Sequence, residues 1–68
     1  MKILLQERTT LQFYEAVGRW TVDEKKAMHF RHAANAIQFC RQWKIANAQI
    51  LIRSRMGEPD LILPVDIQ

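Results

Sequence analysis

From Lys25 to Gly57 the chain contains no aspartate or glutamate, although Lys25, Lys26, Arg31, Arg41, Lys44, Arg53 and Arg55 all fall inside that stretch. The acids lie outside it, with Glu7, Glu15, Asp23 and Glu24 before and Glu58, Asp60 and Asp66 after. Seven cations without a local counter-charge set up a salt-sensitive field of the kind that attracts phosphate or an acidic partner.

Cysteine is as scarce as acid is locally. A single Cys40 excludes a disulfide within one chain, and with only His29 and His32 beside it the sequence offers no convincing metal-ligand set. Two glycines and two prolines leave no room for a linker, a repeat or a low-complexity tract, so residues 1–68 read as one domain. Long apolar runs are missing too. Ile3-Leu4-Leu5 is cut off by Gln6, Glu7 and Arg8, which is too short for an export signal or a membrane span. One free thiol and no address make a reducing cytosol the expected compartment. Ser54 is the only serine and there is no glycine-rich loop, so neither a serine-based triad nor a phosphate cradle is visible.

What the chain does contain is periodic. Residues 2–7 and 11–16 read as a strand pair around Arg8-Thr9-Thr10, since Leu11, Phe13 and Glu15 alternate with Gln12, Tyr14 and Ala16. Gly18 ends the second strand. Thr21-Val22-Asp23-Glu24 fits a capping box, with the Thr21 hydroxyl accepting from the Glu24 amide, and starts a short helical segment ending near Ala27. Met28-His29-Phe30 breaks the helical stripe and reads as an extended link, with one helix over 22–45 as the alternative. The main helix is expected over His32–Lys44, its apolar face made by Ala33, Ala36, Ile37, Cys40 and Trp43, and Asn47 is a left-handed stop. Gln49–Ser54 and Leu61–Val65 form a second strand pair joined by Met56-Gly57-Glu58-Pro59-Asp60. Pro64 lacks an N–H, which puts the last strand at an edge. The expected fold is α+β, in the order ββαββ, an antiparallel sheet of two hairpins packed on one main helix.

Three functions compete. A domain of this length buries only about 60% of the surface its unfolded chain exposes. With disulfides and metal set aside, self-association is the stabilising device left, drawing on sheet edges and a second apolar face to which Ile3, Leu5, Leu51 and Leu63 contribute. The first reading is therefore a non-enzymatic interaction module that forms a homodimer. The second is a nucleic-acid-binding protein using Lys25, Lys26, Arg31, Arg41, Lys44, Arg53 and Arg55, interleaved with Phe30, Phe39 and Trp43. An acidic protein is a further partner of the same charge logic. The third is a small ribonuclease in which His29 and His32 serve as acid and base, though no residue fixes their geometry. No cofactor, metal or membrane partner is expected.

Overall fold

The computed structural model describes residues 1–16, 18–54 and 58–65. The chain is α+β. Strands β1 (Lys2–Glu7), β2 (Phe13–Ala16), β3 (Arg19–Thr21) and β4 (His29–Phe30) precede one helix, α1 (Ala33–Trp43), and β5 (Ala48–Arg53) and β6 (Leu61–Val65) follow it. All six strands join one antiparallel sheet in the order β3-β2-β1-β5-β6, with β4 paired to β1.

β1 is the hub because both of its edges are used. β5 covers one edge from Lys2↔Arg53 to Glu7↔Ala48. The other edge is divided: β2 takes the C-terminal end at Gln6↔Phe13, and β4 takes the N-terminal half at Ile3↔Phe30 and Leu4↔His29. The extended link expected at Met28-His29-Phe30 is thus a short strand, and residues 22–45 are two segments: a 3-10 helix at Glu24–Lys26 and then α1.

Alternation along β1 sends side chains to two different cores. Ile3 and Leu5 join Tyr14, Ala48, Ile50 and Val65 beneath α1, which contributes Ala36 and Cys40. Two small helix residues let the α1 backbone approach the sheet closely. On the other face Leu4 and Leu51 pack under Ala27, with Phe13 beside them. Full burial of Leu4, Leu5 and Ile50 contributes roughly 1.5–3 kcal/mol each by transfer from water. The assignment of Ile3, Leu5 and Leu63 to the second sheet face is therefore corrected: Ile3 and Leu5 lie under the helix, Leu63 shares the face of its partner Ile50 and of Val65, and Leu4 joins Leu51 on the other face.

Other local expectations also change. The second strand begins at Phe13, because exposed Leu11 takes a left-handed φ of 62° and belongs to the turn. The cap of the 3-10 helix is Asp23, whose carboxylate accepts from Lys25 N at 2.9 Å, while Thr21 Oγ1 accepts from Asp23 N and not from Glu24. Glu24 is thereby released for another partner. α1 ends at Lys44 (φ 52°), a turn before Asn47 (φ 56°), as Ile45 N closes on the Cys40 carbonyl at 3.0 Å. Trp43, placed on the apolar stripe by spacing, is half exposed at the helix end. Met56 and Gly57 of the expected β5–β6 loop lie outside the described residues.

The β1–β2 turn is latched to the start of β5. The Glu7 carboxylate accepts from Thr9 N (3.0 Å), from Thr10 N (2.6 Å) and from the Asn47 side-chain amide, which also donates to Thr9 Oγ1 at 2.9 Å. The backbone hydrogen bonds, Thr10 first and then Thr9, hold the Glu7 carboxyl down at about 2 against an ordinary 4.5. Since the folded value is depressed, the latch stabilises the fold fully above pH 4.5 and its contribution is lost as pH falls through about 2. Acid unfolding of Glu7→Gln, followed by tryptophan fluorescence, is expected to show a flatter dependence on pH across that window than the parent.

Candidate functional site

The parity of the sheet hydrogen bonds decides which backbone groups reach solvent. Arg8 N donates to the Asn47 carbonyl at 3.0 Å, one step beyond the Glu7↔Ala48 pair of the β1–β5 ladder. In an antiparallel pair, hydrogen-bonded positions alternate with non-hydrogen-bonded ones. Gln49, Leu51 and Arg53 therefore turn their amides toward β1, and Ala48, Ile50 and Ile52 turn theirs toward β6. Their β6 partners are Val65, Leu63 and Leu61. Ile62 and Pro64 are left with backbone groups pointing away from the sheet, and Pro64 has no N–H to offer there. Both Ile62 groups and the Pro64 carbonyl thus line an edge that no other strand among the described residues covers.

This edge carries apolar side chains on both faces. Leu61, Ile62 and Leu63 are exposed to 57%, 52% and 39%, and no charged residue lies between Leu61 and Val65. By alternation Leu61 and Leu63 lie on the α1 side of the sheet, and Ile62 and Pro64 on the other. Two arginines hold the strand in place. Arg8 donates from Nε to the Ala48 carbonyl and from Nη2 to the Val65 carbonyl, both at 3.0 Å. Arg53 donates from Nη1 to Glu24 Oε2 at 2.5 Å and lies 3.5 Å, through Nε, from Asp60 Oδ2 just ahead of β6.

The seven cations singled out by sequence are distributed. Lys25 and Lys26 sit on the 3-10 helix, on the sheet face opposite α1, whereas Arg41 belongs to α1 and Lys44 to its C-terminal cap. These four and Arg31 are exposed, and none forms an ion pair with a described residue. Arg53 is engaged by Glu24, which immediately precedes the acid-free stretch, and by Asp60, which lies three residues past its end. Arg55 lies outside the described residues.

His29 is on β4 opposite Leu4, and His32 is the N-terminal cap residue of α1 without a side-chain capping bond. Both are exposed and neither has a side-chain hydrogen bond among the described residues. Cys40 is buried, and burial pushes its thiol up from the ordinary range. Among the described residues no group of three His, Cys, Asp or Glu side chains is placed to hold a metal ion, and no helix is long and apolar enough to cross a membrane. An open cavity of about 320 Å³ is lined by Tyr14, Gly18, Trp20, Trp43, Lys44 and Ile45. It brings rings and one cation together but contains no acid–base pair. No family model matches the chain, no curated protein matches it in sequence, and no solved structure matches it in fold.

Proposed function

We propose that this protein is a small non-enzymatic interaction module that self-associates through the free edge of β6. One observation carries the reading: three consecutive large apolar side chains lie exposed on an edge strand whose outward backbone groups pair with no other strand among the described residues. Edge strands are ordinarily blunted by charge, and here Pro64 is the only blunting residue between Leu61 and Val65. Pairing the edge removes apolar surface from water and satisfies the backbone in one step. Phosphate binding ranks below it, because Lys25 and Lys26 lie on the other sheet face from Arg41 and Lys44, and Arg53 is already neutralised.

The contact is small against the ~800 Å² per partner of a standard interface, so a dissociation constant in the micromolar range is expected. Sedimentation equilibrium over micromolar to millimolar protein is expected to show a monomer–dimer transition. Ile62→Lys places a charge on the pairing edge and should raise the dissociation constant at least about tenfold without unfolding the monomer. A wild-type protein that stays monomeric across the whole range would overturn the proposal.

A further inference from the structure

Resting on the self-association just proposed, we infer that β6 pairs with β6 of a second copy in one register, antiparallel about a two-fold axis between the two Ile62 residues. Among the described residues positions 60, 62 and 64 turn their backbone outward near this edge, so hydrogen-bonded pairs must join even positions to even positions. Three registers satisfy that condition with appreciable overlap. Centring the axis on Leu63 sets Ile62 against Pro64 of the second copy, and the Ile62 carbonyl then faces a residue with no N–H. Centring it on Leu61 overlaps mainly the loop side of the strand and brings the two Asp60 carboxylates within about two residues, roughly 7 Å, along the strand direction. Centring it on Ile62 avoids both faults.

In that register each Ile62 N–H donates to the other Ile62 carbonyl, and each Asp60 N–H faces a Pro64 carbonyl. The missing proline donor then costs only the opposite Asp60 carbonyl, which is exposed to water at the end of the ladder. Leu61 lies directly across from Leu63 of the second copy on the helix side, twice over by symmetry, and the two Ile62 side chains meet on the other face. The Asp60 carboxylates move to opposite ends of the pair, about four residues or ~13 Å apart along the strands, beyond a Debye length of about 8 Å at physiological salt. The edge is thus complementary to itself in hydrogen bonding, apolar contact and charge.

The helices allow it. α1 packs over β5 and β1 and leaves Leu61 and Leu63 uncovered. Across the two-fold the helix axes stand about four strand spacings apart, roughly 19 Å, well above the 8–10 Å at which helices touch. The product is a continuous sheet ten strands wide. Its outer edges are the three-residue strands β3, each beginning with Arg19, so the assembly closes at two copies and does not propagate.

The register is tested by cysteine cross-linking in the full chain. Leu61→Cys and Leu63→Cys are made separately, with one carrying a mass tag, and are oxidised with glutathione disulfide either alone or mixed; wild type with its buried Cys40 is the control. Non-hydrogen-bonded antiparallel pairs have Cα atoms about 4.5 Å apart, within disulfide reach. The mixture should form the hetero-disulfide at least about tenfold faster than either variant forms its own dimer, because 61–61 and 63–63 are diagonal pairs about 7–8 Å apart. Equal rates, or a preference for one homodimer, would overturn the register while a dimer seen by sedimentation leaves self-association standing. Monomeric behaviour of both variants and wild type by sedimentation would overturn both.

Discussion

Leu5→Ala is expected to lower the free energy of unfolding by about 3 kcal/mol, within the usual range for truncating a fully buried leucine. Leu5 has no exposed surface and lies opposite Ile50 at the centre of the sheet, with Tyr14 and the α1 residues Ala36 and Cys40 in the same cluster. The helix residues above it are too short to swing into the space left behind. Relaxation would therefore require α1 itself to sink, and its position is already limited by the ring contacts of Phe39 with Tyr14 and Phe30, at 5.3 and 5.5 Å. A domain of this size has only about 5–10 kcal/mol in all, so the variant should melt well below the parent. Urea unfolding followed by Trp20 and Trp43 fluorescence measures the change. Leu61→Ala is the control, with an expected effect below about 0.5 kcal/mol in the monomer. A loss below about 1 kcal/mol for Leu5→Ala would mean that the helix–sheet core is not formed as described.

Arg53→Met carries the second large effect. Glu24 directs Oε2 to Arg53 and leaves Oε1 buried without a hydrogen-bond partner among the described residues. Removing the guanidinium strands a partly buried carboxylate, at a cost of about 1–3 kcal/mol. It also frees Asp60, so the loop entering β6 loses its tether to β5. Both monomer stability and dimerisation should fall together. Combining Arg53→Met with Glu24→Gln should recover part of the stability, since a neutral amide is less costly to leave without its cation. Strict additivity in that cycle, measured by urea unfolding, would show that the two side chains do not interact in solution.

The larger elements of this fold could be read from the sequence because their periodicity runs for five or more residues. β1 and β6 occupy the expected ranges, β5 is displaced by one residue at each end, and α1 lies within its expected span. β3 and β4 escaped because strands of three and two residues show no period, and β4 exists only because β2 leaves half of one β1 edge open. Trp43 satisfied the helical spacing but sits on the last turn of α1, half exposed beside an open cavity, which spacing cannot reveal. The charge pattern misled for a related reason: an acid-free interval in sequence is not one in space, and Glu24 and Asp60, from outside it on either side, converge on Arg53. At the candidate site, the edge position of β6 was visible in Pro64. The outward direction of the Ile62 amide was not, because it follows from the β1–β5 register two strands away.

Arg8 and Arg53 grip β6 near its two ends, and this bears on how fast partners can meet. An edge strand that frays must be ordered again at each encounter, at roughly 1–2 kcal/mol per residue of backbone entropy. A strand fixed at Val65 and just ahead of Leu61 has lost most of that freedom before any collision. Productive encounters should then be limited by orientation and not by a folding step, with association in the ordinary range of about 10⁵–10⁷ M⁻¹s⁻¹ and weak binding expressed as rapid dissociation.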